Sequence, residues 1–234
     1  KPGVYPYVCT YPGHWRRMFG ALYVVEDLDE YLADAEGYLA KHPLTISDEL
    51  LKFNRPRKEW KFEELSPAVE SLASRSFVNG RQMFQVANCI ACHKLSGVGT
   101  EIGQDLTKLD PKTKTTDILR DILDPSAKID DKYRSYVFEM ESGKVVTGLI
   151  LEETPKTVKV IENPLAKTQP IVLKKSQIAK REKSSTSIMP KGLLDKLTRE
   201  EILDLIAYVM AKGDAKHKLL QGSHDHGQGH GHNH

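Results

Sequence analysis

The stretch Cys89-Ile90-Ala91-Cys92-His93 carries the most specific chemical signal in this chain of 234 residues. Two cysteines separated by two residues place both thiols on one helical turn, where they can add to the two vinyl groups of a heme. The histidine that follows can then reach the iron from one side. The spacing predicts covalent attachment of heme c through Cys89 and Cys92, with His93 as the proximal ligand.

A redox-active dithiol is the competing interpretation of the same stretch. A thioredoxin-like pair of cysteines belongs in a strand–helix–strand setting. The sequence ahead of the motif is instead helical in character, because Phe77, Gly80 and Phe84 fall on one helical face. This context favours heme attachment.

A second axial ligand is expected downstream, in Ser187-Ile188-Met189-Pro190. A thioether is a soft ligand that raises the reduction potential of heme iron. Most methionines fill gaps in a protein core, which is the alternative for any of them. Met83 and Met210 fall within predicted helices and Met140 within a predicted strand, whereas Met189 lies in a loop whose following proline can fix the backbone. We therefore predict Met189 as the distal ligand.

The hydrophobic period changes twice along the chain. Residues 74–131 and 184–213 repeat at helical spacing, with Pro125 ending one helix and Thr198 capping the last. Residues 132–183 alternate between apolar and polar positions, with turn residues at intervals, which is typical of short strands. Four or five such strands predict a small barrel or a curled sheet.

The two helical segments resemble a class I cytochrome c. Gly80 and Phe84 match the contact pair on the first helix of that family, and Tyr208 matches the aromatic residue on the last helix that crosses it. The resemblance implies a mainly helical cytochrome c fold over residues 74–213.

The turn Gly103-Gln104-Asp105-Leu106 resembles the Gly-Pro-x-Leu turn of the same family, whose carbonyl orients the proximal histidine. Gln104 stands where proline is usual, so the turn is less rigid. The backbone carbonyl survives this change, and the resemblance therefore implies that Gln104 supports the Nδ1–H of His93.

The strand-rich stretch is not standard for a class I cytochrome. It resembles the β insertion of multidomain bacterial heme-binding proteins whose C-terminal cytochrome ends in a Met-Pro-x-Gly-Leu-Leu pattern, which residues 189–194 fit. The resemblance implies an α+β fold, in which a small β barrel or sheet at residues 132–183 is inserted into the cytochrome.

Residues 1–25 are expected to form two short strands around the stretch Cys9-Thr10-Tyr11-Pro12-Gly13-His14-Trp15-Arg16-Arg17-Met18. This stretch resembles the ligand loop of azurin-type blue copper proteins, in which a thiolate and an imidazole bind copper strongly and a methionine binds weakly. The resemblance implies the C-terminal part of a cupredoxin, carrying Cys9, His14 and Met18 as three of four copper ligands. The second histidine lies on an earlier strand in that family, so we do not expect a complete copper site in this chain alone. A relict loop is the alternative.

Residues 26–73 are predicted to be an acidic linker with one helix. They hold 6 Lys and Arg against 12 Asp and Glu, a net charge of −6. Beyond the helix the segment is predicted to be mostly extended, because it is polar and contains Pro56 and Pro67.

Residues 214–234 are predicted to be a disordered tail rich in histidine. Such a tail can bind copper, zinc or nickel, and it can equally be an engineered or incidental one. The candidate ligands of this tail are His224, His226, His230, His232 and His234.

The composition sets limits on function. With 39% hydrophobic and 28% charged residues, the chain has the balance of a globular protein. No apolar run reaches the ~18 residues of a membrane-spanning helix, and the N-terminus has no apolar signal-peptide region. The net charge is only +2 and no basic stripe is interleaved with aromatic residues, which argues against nucleic acid as a partner.

Together these features predict electron transfer through a covalently bound heme, coupled to a copper centre in a longer protein. The partner is expected to be a redox protein or further domains of the same protein. Because heme is attached to this motif outside the cytoplasm, we expect a periplasmic or cell-surface location. Three alternatives remain: an electron-accepting module of a larger dehydrogenase or reductase, an enzyme with an open sixth heme position, and copper handling by the N-terminal loop and the tail.

Overall fold

The structure, a computed structural model, describes residues 1–8, 19–46, 57–163, 165 and 169–221. The chain divides into two compact units: Lys1–Glu59 with Asp195–Leu197, and Trp60–Leu194 with Thr198–His234. Within the described residues, no helix has the length and apolar character needed to cross a bilayer.

The first unit begins with an antiparallel hairpin. Strand β1 (Gly3–Val8) pairs with strand β2 (Phe19–Val24), with Gly3 opposite Val24 and Val8 opposite Phe19. The two expected strands are therefore present. The register places Val8 and Phe19, the described residues that flank 9–18, directly opposite each other.

Two short helices follow where one was expected. Helix α1 (Leu28–Ala33) and helix α2 (Ala35–Lys41) are separated by Asp34, whose φ of −153° is not helical. The Asp34 carboxylate accepts the backbone N–H of Gly37 at 3.0 Å and so caps the second helix. The local hydrogen bond of the aspartate thus competes with helix continuation at this point.

The packed side of these two helices is aromatic. Leu28 and Leu32 are 60% and 71% exposed, whereas Tyr38 is only 3% exposed. The Tyr38 ring lies edge-on to Tyr31, with ring centroids 5.8 Å apart. The aromatic rings rather than the leucines form the packed side of the two helices.

Helix α3 (Phe62–Glu70) lies in the stretch expected to be extended. Leu65 and Val69, one turn apart, are both fully buried. Their burial stabilises a helix despite Pro67, which removes one backbone hydrogen bond. The single helix expected over residues 26–73 is therefore corrected to three among the described residues.

Helix α4 (Phe77–Val86) and helix α6 (Arg199–Met210) pack closely against each other in the second unit. A Cβ atom on Gly80 would lie 2.6 Å from the Cβ of Tyr208, so only glycine permits this approach. The ring centroids of Phe84 and Tyr208 are 5.9 Å apart. The predicted contact at this crossing is confirmed.

A buried carboxylate fixes the start of α4 on α6. Asp204 is 2% exposed and accepts from Arg75 Nε at 2.8 Å, from the Ser76 backbone N–H at 3.1 Å and from Asn79 Nδ2 at 3.4 Å. Hydrogen bonds of this kind offset the cost of removing a charged group from water.

Helix α5 (Thr115–Leu123) matches the predicted helix that ends before Pro125. Its buried residues are Ile118, Leu119 and Ile122, which lie on one side of the helix. Asp124 caps the last turn, since its backbone N–H donates to the Arg120 carbonyl at 2.8 Å.

Five antiparallel strands lie between α5 and α6 in the sequence, in the sheet order β6-β5-β4-β3-β7. Their bounds are β3 (Tyr136–Met140), β4 (Val145–Glu153), β5 (Thr157–Ile161), β6 (Ile171–Lys174) and β7 (Ile178–Lys183). One face carries its own core, in which Phe138 and Val158 are fully buried, and Arg181 lies 4.3 Å above the Tyr136 ring. The pairing places β6 and β7 at the two ends of a sheet.

The segment after α6 differs from the predicted disordered tail. Leu220 is 7% exposed and packs in a cluster with Ala207 and Ala211, while the Leu219 carbonyl accepts the Arg75 backbone N–H at 2.8 Å. Residues 214–221 are therefore part of the packed unit. The tail residues 222–234 lie outside the described residues.

Candidate heme-binding site

A single tight turn after α4 carries the cysteine–histidine motif. Asn88 adopts a left-handed φ of 59°, and Cys89–Ala91 then form one 3-10 turn. The Cys89 carbonyl accepts the backbone N–H of His93 at 2.9 Å and that of Cys92 at 3.2 Å. The backbone thus holds both cysteines and the histidine on one compact segment.

Both cysteines of the motif are free and half-buried. Burial raises the pKa of the Cys89 thiol to about 12, and the nearby Cys92 sulfur adds to this rise. Burial also raises the pKa of Cys92. A catalytic dithiol needs at least one cysteine with a lowered pKa, so this pair is unlike a redox-active dithiol.

The imidazole of His93 is oriented by the backbone of the next turn. Its Nδ1 lies 2.8 Å from the Gln104 carbonyl oxygen, the arrangement in which an Nδ1–H donates and Nε2 keeps its lone pair. Burial lowers the pKa of His93, and the Gln104 contact offsets part of that change. The neutral imidazole, which is the form that binds a metal, is therefore favoured.

Gly103 forms a cradle against the same ring. A Cβ atom at this position would lie 2.8 Å from Cε1 and 3.0 Å from Nδ1 of His93. The Gly103 N–H donates to the Cys92 carbonyl at 2.7 Å, which fixes the turn to the motif. The donor set, its tautomer and this close cradle fit a histidine-ligated heme c.

The loop between His93 and Gly103 holds contacts that the sequence reasoning missed. A Cβ atom on Gly99, whose φ is +104°, would collide with the His93 carbonyl. Thr100 Oγ1 donates to the Ala91 carbonyl at 2.7 Å, and Lys94 pairs with Glu101 at 2.6 Å. Gly97 and Gly99 were the sequence signal for a tight loop here, because closely spaced glycines mark tight turns.

Met189 lies in the loop that follows β7 and is half-buried. Its backbone N–H donates to Ser187 Oγ at 3.1 Å. The other candidate methionines belong to regular elements: Met83 is buried in α4, Met140 packs on the core of the sheet, and Met210 ends α6. Met189 alone among these four lies in a loop.

The predicted copper ligands fall in parts of the chain that the structure does not describe. Cys9, His14 and Met18 lie within residues 9–18, and the tail ligands lie within residues 222–234. Those tail ligands are His224, His226, His230, His232 and His234. Within the described ranges, no group of three or more His, Cys, Asp or Glu side chains is arranged to hold a metal ion.

Comparison with known proteins identifies the domain. No curated protein matches the chain. Residues 77–212 match the model of the family Cytochrome c, from the start of α4 to just after α6. Cytochrome c domains hold heme c and transfer electrons through it. Because the match covers more than half of its residues, this chain belongs to the cytochrome c family.

Proposed function

We propose that the chain is an exported one-electron carrier. Cys89 and Cys92 hold heme c through thioether bonds, His93 is its proximal ligand and Met189 is its distal ligand. The observation that supports this most strongly is the 2.8 Å contact between His93 Nδ1 and the Gln104 carbonyl, directly after the two cysteines. When bound, heme c supplies a one-electron couple.

The residues around His93 keep its imidazole ready to bind iron. The lowered pKa of His93 means that protons compete for Nε2 only under more acidic conditions than for an ordinary histidine. The Gln104 carbonyl favours the tautomer with a proton on Nδ1, and the missing side chain of Gly103 leaves room for the ring at this position. Met189 provides a soft sulfur that favours the reduced state.

With His93 and Met189 both as ligands, the iron would have no open position for a substrate, which favours electron transfer over an enzyme with an open sixth position. An electron-accepting module of a larger dehydrogenase or reductase would use the same residues in the same way. The location outside the cytoplasm rests on where heme is attached to this motif.

A redox titration of the heme-loaded protein followed by absorption tests this function. We expect one reversible one-electron transition and no turnover of added peroxide, because His93 and Met189 would both ligate the iron and leave no position for peroxide. Sustained peroxide turnover, or a ferric spectrum without the weak band at the red edge that reports methionine ligation, would contradict the assignment.

We also propose that residues 9–18 are a copper-ligand loop in a longer protein, where copper and heme exchange electrons. The supporting observation is the β1–β2 register, because Val8 pairs with Phe19 at the base of this loop. Cys9, His14 and Met18 would supply three ligands. The competing interpretation is copper handling by this loop together with the histidine-rich tail.

Copper titration of the chain lacking residues 222–234 tests the copper-ligand loop without competition from the tail histidines. We expect no intense blue absorption, because the second imidazole of a blue site is missing from the ligand set. Supplying the preceding cupredoxin half should restore the blue band, and Cys9→Ser should abolish it without changing the heme spectrum. Tight stoichiometric binding with an intense blue colour in this chain alone would show that the fourth ligand has been misplaced.

A further inference from the structure

Met189 lies in a loop of residues 184–191, here named the methionine loop. The first half of this loop is hydrogen-bonded to the residue that precedes β3. The backbone N–H of Ser184 donates to the Ser135 carbonyl at 2.9 Å. In return, Ser135 Oγ donates to the Thr186 carbonyl at 3.2 Å. Ser135 is only 3% exposed and directly precedes β3, so the tie joins the loop to a rigid element.

The second half of the methionine loop contacts the residues that follow α5. Ser187 donates its backbone N–H to Ser126 Oγ at 3.1 Å, and Ser187 Oγ then accepts the Met189 N–H at 3.1 Å. Beyond Met189, Lys191 Nζ lies 2.9 Å from Asp124 Oδ1. Residues 124–126 therefore contact the loop on both sides of Met189.

We propose that Ser126 and Ser135 are positioning residues for Met189. They hold the methionine loop between the end of α5 and the first strand of the sheet. The strand-rich segment therefore helps to position the distal ligand. The inference rests on the proposed function, in which Met189 is that ligand.

The physical basis is the entropy of ordering a loop. A free loop must lose backbone freedom each time its methionine binds iron, and this loss of entropy opposes binding. The serine contacts order the loop beforehand. Without Ser126 Oγ, the half-buried Ser187 N–H would lack its partner, whereas the Lys191–Asp124 pair is 66% and 52% exposed and contributes little.

Displacement of the methionine by added imidazole in the heme-loaded full chain tests this inference. Ser126→Ala and Ser135→Ala should each lose the red-edge band at roughly threefold to tenfold lower imidazole concentration, the range expected for one lost hydrogen bond. Ser126→Thr keeps a hydroxyl and should restore the original concentration. Ser185→Ala is the matched control, because this exposed serine of the same loop donates and accepts no side-chain hydrogen bond among the described residues.

Amide hydrogen exchange of the same proteins provides a readout independent of the heme band. The Met189 and Ser187 amides should exchange severalfold faster in Ser126→Ala, whereas the amides of α4 should not change. Equal acceleration in α4 would show general unfolding and would overturn the positioning role.

Different results would contradict Met189 as the distal ligand and the serines as positioning residues. If Met189→Ala keeps the red-edge band, the assignment of the distal ligand is wrong. If Met189→Ala loses the band while Ser126→Ala and Ser135→Ala behave like Ser185→Ala, the ligand stands and the positioning role is wrong.

Discussion

Replacement of Met189 with alanine is expected to abolish the red-edge band of the ferric protein and to lower its reduction potential. The thioether is a soft ligand that stabilises ferrous iron, and its loss leaves water or a harder ligand in its place. Axial ligation moves heme potentials over a range of ~0.8 V, so we expect a fall on the order of 0.1 V or more. Spectroelectrochemistry measures both changes in one experiment.

Met140→Leu is the matched control for this variant. Met140 packs on the core of the sheet, and a leucine of similar volume costs less than ~1.5 kcal/mol of stability. Its spectrum and potential should therefore equal those of the unaltered protein. An unchanged potential in Met189→Ala would assign the sixth position to another residue.

Replacement of Gly103 with valine is expected to weaken the bond between His93 and the iron by roughly 10- to 100-fold, the usual effect of disturbing a group that orients a metal ligand. Even the Cβ atom would lie 2.8 Å from Cε1 of His93, so the ring must leave the Gln104 carbonyl. Acid titration of the heme spectrum should show loss of histidine ligation at a higher pH than in the unaltered protein.

Gln104→Ala separates the backbone from the side chain in this turn. The contact to His93 uses the Gln104 carbonyl, and the residue is exposed, so alanine should leave the acid transition unchanged. If Gln104→Ala shifted the transition as far as Gly103→Val does, the backbone cradle would not be the cause.

The fold was predictable from the sequence wherever a period was long and regular. Alternation over residues 132–183 predicted four or five strands, and the structure has five there. The Thr198–Glu201 capping box marked the start of α6. Helix α3 was missed because Leu65 and Val69 are its only fully buried pair, set among charged residues and Pro67. The packing of Leu220 was missed because its partners lie on another helix.

The features of the site that were predictable from the sequence are the local ones. The cysteine–histidine spacing is local, and the turn at Gln104 was identifiable by resemblance even without proline. The close approach of Gly103 to the His93 ring depends on how two turns fold together, which no spacing reveals. The contacts of Ser126 and Ser135 with the methionine loop join residues 61 and 51 positions apart, so no local pattern could indicate them.

Every other assignment in the site depends on the covalent attachment of one heme to Cys89 and Cys92. Mass spectrometry of the denatured chain, produced together with a heme-attachment system, measures that attachment. We predict the mass of the polypeptide plus one heme, kept in Cys9→Ser and lost when Cys89 and Cys92 are both replaced by serine. The mass of the polypeptide alone in the unaltered chain would contradict the claim.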